Sequence, residues 1–170
     1  DAPETSPHPR PYVLYVGFCD PRKNVPNLFA AVAAAAKARD LDLLWAGDIE
    51  GRTRDKVLAL AAAQGIPARL KLLGFVSDEA LGRLYRHAVG LVFLSKMEGF
   101  GLPVVEAMAA GCPVVVARGS GSDELVGDAG AHVDADDPAE AAREIVKLLD
   151  DPSHRDALRA LGPARAALLD

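Results

Sequence analysis

Cysteine is scarce in this sequence. Cys19 and Cys112 are the only two, too few for a disulfide framework and at no zinc-ligand spacing, so both are expected to be small core-filling thiols. No stretch approaches the roughly 18 consecutive apolar residues that a membrane-spanning helix needs, and the first residues are polar and proline-rich instead of a signal peptide's apolar core. A soluble, cytoplasmic domain is therefore expected, with peripheral association of a parent protein at a membrane left open. Blocks of positive charge are also missing: 19 basic residues are scattered among 24 acidic ones for a net charge of -5, which argues against a nucleic-acid backbone as the main partner. The nucleoside-triphosphate loop is absent, because no Gly-Lys-Ser or Gly-Lys-Thr occurs. The four histidines, His8, His87, His132 and His154, have no partner spacing for a metal or a triad.

What is present is enough apolar material for one ordinary domain: half of the 170 residues, sufficient to bury a real core. The chain begins with Asp1, and Asp1 to Pro11 contains Pro3, Pro7, Pro9 and Pro11 with almost nothing apolar. This composition reads as a linker, so that the chain is expected to be a piece cut from a longer protein; a disordered natural tail is the alternative. The domain proper is expected over residues 12–170.

From Tyr12 onward, short Val- and Leu-rich runs alternate with stretches of helical period, separated by Gly, Pro or Asp. The runs predict strands over Tyr12–Gly17, Leu41–Ala46, Leu70–Leu73, Gly90–Leu94, Pro113–Ala117 and Ala131–Val133, apolar almost throughout as strands covered on both faces must be. Helices are predicted over Pro26–Ala38, Arg52–Gln64, Asp78–Ala88, Leu102–Ala110 and Pro138–Asp150, and from Ser153 onward. Asn24 and Ser77 stand where N-caps are expected, and Pro26 and Pro138 fit a first turn. The alternation implies an α/β domain with a doubly wound, Rossmann-like parallel sheet, whose ligands bind beyond the carboxyl ends of the strands.

The most informative segment runs from Ser95 to Val115, through a glycine-bearing loop into a helix. Gly99 and Gly101 allow a ligand to approach the backbone, and Pro103 suits the first turn, so the loop can present free amides to an anion. Glu106 is the only charge between Leu102 and Ala110. On a helix otherwise apolar it is expected to need hydrogen-bonding partners, and a ribose diol matches its two acceptor oxygens. Glu98, in the loop, could accept from further hydroxyls.

Glu98, seven intervening residues and Glu106, followed by Ala107, Met108, Ala109, Gly111 and Pro113, resemble the signature of retaining GT-B glycosyltransferases. The resemblance is to the large family that includes sucrose synthases, phosphatidylinositol mannosyltransferases and many bacterial cell-envelope transferases. Tyr15-Val16-Gly17 with Arg22-Lys23-Asn24, and Leu73-Gly74-Phe75-Val76-Ser77, agree with it, so that it spans roughly residues 11–160. It implies one half of a GT-B fold, binding a nucleoside diphosphate-sugar donor. Gly17 belongs to the site; Arg22 and Lys23 meet the diphosphate; backbone near Val76 contacts the base; Glu106 holds the ribose; Glu98 with the amides of Gly99, Phe100, Gly101 and Leu102 holds sugar and phosphate. It also implies transfer of a hexose without a metal or other cofactor, and an acceptor-binding N-terminal domain that this chain lacks. Asp123-Glu124 departs from the family's pattern, and nothing is carried over to that loop.

Other readings of these residues stand beside that one. Glu106 could instead form an internal ion pair with Lys96 or Arg22, Glu98 could be a solvated loop residue, Arg22 and Lys23 ordinary turn charges, and Val76 a packing residue. Gly119-Ser120-Gly121-Ser122 reads as a phosphate loop or as a plain turn. Donor binding for a retaining transferase is the leading expectation; the alternatives are a GT-B nucleotide-sugar epimerase and a non-catalytic nucleotide-binding or interaction module.

Overall fold

The structure, a computed structural model, describes residues 2–97 and 100–169. Strands β1 (Tyr12–Val16), β2 (Asp42–Ala46), β3 (Leu70–Gly74), β4 (Gly90–Phe93), β5 (Val114–Ala117) and β6 (Ala131–Val133) form one sheet in the order β3-β2-β1-β4-β5-β6. All pairings are parallel. The helices are α1 (Val25–Ala38), α2 (Gly51–Ala63), α3 (Asp78–His87), α4 (Leu102–Ala109), α5 (Gly121–Val126), α6 (Pro138–Asp150) and α7 (Pro152–Ala167). Each expected element is present with its ends within a residue; α5 and short 3-10 turns at Pro21–Lys23 and Gly127–Ala129 were not foreseen.

The layers follow from which faces are apolar. Strands β1, β2, β4 and β5 are almost wholly buried, whereas β3, at the sheet's edge, alternates and turns Lys71 outward, a charge that discourages further pairing at an open edge. Helix α1 packs on α2 and α6, and α4 packs on α3, α5 and α7. Between helices and sheet lies a core in which Tyr15 meets Trp45 edge-on at 4.5 Å, Phe29 meets Trp45 at 6.1 Å and Tyr15 stacks on Phe93 at 6.2 Å. Each such fully buried large side chain contributes about 1.5–3 kcal/mol by leaving water.

Helix starts divide into those decided locally and those that are not. Ser77 Oγ accepts from the Ala80 amide (3.2 Å), and Pro26 and Pro138 lie in first turns, as expected. Asn24 does not cap α1 with its side chain. It adopts the left-handed region (φ 59°) and its amide donates instead to the carbonyls of Leu94 (3.1 Å) and Ala135 (2.8 Å).

Strand β2 also departs from a purely apolar reading, because Asp42 is fully buried. A buried carboxylate needs partners. His8 Nε2 (2.6 Å) and Arg10 Nε (3.0 Å), from the proline-rich segment, both donate to Asp42 Oδ2. The segment is held at a second place by Glu4, which pairs with Arg86 (2.9 Å) and His87 (3.0 Å) at the end of α3.

Candidate functional site

A sheet of this strand order changes its winding direction between β1 and β4, which opens a crevice at their carboxyl ends. Gly17 follows β1 there, with φ 141°. Its amide donates to Ala46 O (3.1 Å) and its carbonyl accepts from Trp45 Nε1 (3.0 Å), while Tyr15 Oη donates to Phe18 O (2.7 Å). Gly47 abuts this turn so closely that a side chain on it would lie 2.3 Å from the Gly17 carbonyl oxygen. Sequence reasoning missed Gly47, since nothing local marks a contact between the ends of two strands.

The next residues turn the chain toward β4. Asp20 accepts from the Arg22 amide (2.9 Å) and Nε (3.4 Å). Partial burial opposes ionisation of Asp20, but these bonds outweigh it and hold the carboxyl below the usual carboxylate range. Arg22 leaves most of its side chain, 66%, exposed. Lys23 Nζ sits 5.5 Å from the centre of the Phe93 ring, the last residue of β4. Two further bonds cross the crevice: the Arg22 carbonyl accepts from Ser95 Oγ (3.1 Å) and from the Lys96 amide (3.2 Å). The loops after β1 and β4 are thereby tied together at Arg22, Ser95 and Lys96.

Of that loop, Glu98 and Gly99 lie outside the described residues. Phe100 and Leu102 are exposed, and Gly101, buried at φ 68°, begins α4 with its carbonyl accepting from the amides of Val104 (2.9 Å) and Val105 (3.3 Å). A helix N-terminus carries unsatisfied N–H groups and positive partial charge, and that of α4 opens on the crevice after β4.

Glu106 is not buried, contrary to what its apolar neighbours suggest. Those neighbours, Val104, Ala107 and Met108, turn to the core, whereas Glu106 lies exposed on the opposite face. It pairs with neither Lys96 nor Arg22 among the described residues; Lys96 pairs with Asp136. Tyr85 Oη, from α3, donates to Glu106 Oε2 (3.1 Å). Both residues line a groove of about 490 Å³ between α3 and α4, with Asp78, Leu81, Gly82, Ala109 and Ala110, within the roughly 300–1,000 Å³ typical of small-ligand sites. Val76 lies two residues before Asp78, partly buried against the core as a packing residue; Phe75 beside it is 85% exposed. The structure thus places Gly17, Arg22 and Lys23 at the carboxyl end of β1 beside the end of β4, the Phe100–Leu102 turn at the start of α4, and Glu106 on the groove between α3 and α4, whereas Val76 precedes α3 and does not line that groove.

Other candidates are engaged elsewhere. In the Gly119–Ser122 segment the Gly119 amide donates to Asp123 Oδ2 (2.9 Å) and Ser120 Oγ to Ala117 O (2.6 Å), with α5 starting at Gly121, whereas the buried Ser122 Oγ has no partner among the described residues. Two triplets have the Asp-x-Asp spacing by which other glycosyltransferases bind a metal. In one, Asp40 pairs with Arg69 (2.5 Å) and Asp42 is occupied as described; in the other, Asp136 pairs with Lys96 and Asp134 Oδ1 accepts from the Asp136 amide (2.9 Å). Each histidine faces a carboxylate: His8 Asp42, His87 Glu4, His132 Asp123 and His154 Glu144.

The chain's similarity to known proteins is extensive. The glycosyl transferases group 1 family model matches residues 1–165. The chain is 36% identical over 157 residues to O-antigen chain mannosyltransferase B of Escherichia coli, covering 91% of this chain and 41% of that protein. It is 35% identical over 166 residues to D-inositol 3-phosphate glycosyltransferase of Salinispora tropica, covering 91% and 34%. It therefore spans about two fifths or less of these relatives' length. Among solved structures, sucrose-phosphate synthase from Thermosynechococcus elongatus superposes with a TM-score of 0.85 at 30% identity, covering 95% of this chain and 41% of that one. Anabaena HepE, in complex with UDP and glucose, gives 0.82 at 26% identity, covering 92% and 43%.

Proposed function

The chain belongs to the glycosyl transferases group 1 family, and on that premise we propose that it is the donor-binding domain of a retaining hexosyltransferase, holding a nucleoside diphosphate-sugar at the carboxyl edge of its sheet. The observation that supports the proposal is the pair of hydrogen bonds from Ser95 Oγ and the Lys96 amide to the Arg22 carbonyl, which ties the segment bearing Arg22 and Lys23 to the start of the loop after β4. The ligand in HepE, UDP with glucose, has the chemistry that such a crevice suits.

In this proposal the base contacts backbone near Val76 and the ribose hydroxyls donate to Glu106. The diphosphate meets Arg22, Lys23 and the N-terminus of α4, and Glu98 with the amides from Gly99 to Leu102 holds the sugar. As the bond between the anomeric carbon and the diphosphate oxygen breaks, negative charge grows on the leaving nucleotide. Fixed cations and a helix N-terminus stabilise that charge without reorganising, which is why the proposal requires no metal. The acceptor is supplied by a further domain, in keeping with the longer relatives, and transfer takes place in the cleft between the two.

Calorimetric titration with UDP, GDP, ADP and dTDP tests the reading. One nucleotide should bind saturably, and Glu106→Ala should weaken it about tenfold or more, the worth of hydrogen bonds to a charged group. A folded domain that binds none of the four, or that binds one with no effect of Glu106→Ala, would refute it.

A further inference from the structure

We propose that Tyr85 is a positioning residue for nucleotide binding: its hydroxyl sets the Glu106 carboxylate in the orientation that receives the ribose hydroxyls. The inference rests on the donor-binding reading above and adds to it a residue outside the three motifs that carry the resemblance.

The two side chains differ in how firmly they are held. Tyr85, on α3, is only 2% exposed. Packing fixes its ring, and the hydroxyl emerges at the groove that both residues line. Glu106 projects from α4 on the solvent side. A glutamate in that position samples many rotamers, and selecting one for a ligand lowers affinity. The 3.1 Å bond from Tyr85 Oη to Glu106 Oε2 makes that selection before a ligand arrives.

The direction of the bond is settled by charge. Burial, and secondarily the negative Glu106 beside it, push the Tyr85 phenol above its ordinary range, so the hydroxyl keeps its proton and donates it to the carboxylate. One lone pair of Oε2 is thus used. The other lone pair of Oε2 and both of Oε1 still face no protein donor among the described residues, and a vicinal diol can donate to both oxygens at once. A rigid donor on one helix holding an acceptor on another also makes the site sensitive to the spacing of α3 and α4, which touch at few other points.

Tyr85→Phe keeps the ring and removes only the hydroxyl, so the melting temperature should stay close to that of the unaltered chain. Affinity for whichever of UDP, GDP or ADP binds should fall about three- to tenfold, the worth of one hydrogen bond; selective binding of dTDP, whose sugar has no vicinal diol, overturns the positioning role. In the Glu106→Ala background the same replacement should change affinity by less than about twofold, because its effect passes through the missing carboxylate. The loss should also shrink for the corresponding nucleotide lacking the ribose hydroxyls, such as 2′,3′-dideoxy-UDP. A purely structural role would weaken both nucleotides equally and would add to Glu106→Ala; either result, or no effect of Tyr85→Phe while Glu106→Ala still weakens binding, overturns the positioning role alone. If Glu106→Ala has no effect, or no nucleotide binds, the donor-binding reading fails and this inference with it.

Discussion

Replacing Asn24 separates the contribution of backbone conformation from that of side-chain hydrogen bonds at the joint between β1 and β4. Asn24 combines a left-handed backbone, φ 59°, with two buried donations to the carbonyls of Leu94 and Ala135. Losing both bonds costs about 1–3 kcal/mol together, more if the carbonyls are left without water. Alanine adds about 1–2 kcal/mol because in the left-handed region its Cβ crowds the carbonyl without the local polar contacts by which asparagine offsets the same crowding, here the bond that Asn24 Oδ1 accepts from Asn27, whereas glycine has no Cβ. Asn24→Ala should therefore destabilise by about 2–5 kcal/mol and Asn24→Gly by about 1–3, a gap of about 1–2 kcal/mol. At about 2–4 °C per kcal/mol for a domain of this size, the alanine variant should melt roughly 4–20 °C lower. Urea denaturation of the two variants beside the unaltered chain gives both quantities. Equal stabilities of the alanine and glycine variants would refute the conformational part of the reasoning, and a glycine variant as stable as the original would refute the hydrogen-bond part.

Acid should destabilise the domain through carboxyls that are paired when it is folded. Arg86 and His87 hold Glu4 down to about 2. For Asp42, burial opposes ionisation but the bonds from His8 and Arg10 prevail, and the Gly119 amide and His132 lower Asp123. Each binds a proton more tightly in the unfolded chain, so its contribution is complete above about pH 4.5 and is lost as pH falls through the folded values. The urea midpoint should drop steeply between about pH 4.5 and 2, less so in Asp42→Asn; a midpoint level across that range contradicts the pairing. Gly162→Ala should destabilise by about 1–3 kcal/mol, although alanine ordinarily improves a helix by about 1 kcal/mol over glycine. Its Cβ would come within 2.8 Å of the Met108 carbonyl oxygen, and backbone cannot yield as a side chain can, so α7 would have to lift from α4. A neutral or stabilised variant in urea unfolding would show that these helices have room to spare.

What proved legible was what neighbours in sequence determine. Apolar runs of four or five residues could only be strands covered on both faces, and Ser77 and the first-turn prolines act within their own turns. The cluster from Glu98 to Pro113 carried the family because its residues serve one loop and one helix. Asn24 stands at the N-cap of α1 as expected, but its side-chain amide turns away from the helix to partners 70 and 111 residues away, which no local pattern announces. The burial of Asp42 was hidden because a strand's hydropathy does not reveal that His8 and Arg10 return to meet it.

The sequence by itself thus determined the order and kind of the elements, the parallel α/β class and the family, all of which follow from local periodicity and contiguous motifs. Only the tertiary structure decided that Arg22 and Lys23 stand beside the loop after β4, that Glu106 faces outward and not into the core, and that Tyr85 holds it. The physical reason is that each of these depends on packing between segments 20 or more residues apart, where the direction of a side chain is set by the neighbour it meets and leaves no periodic trace in the chain.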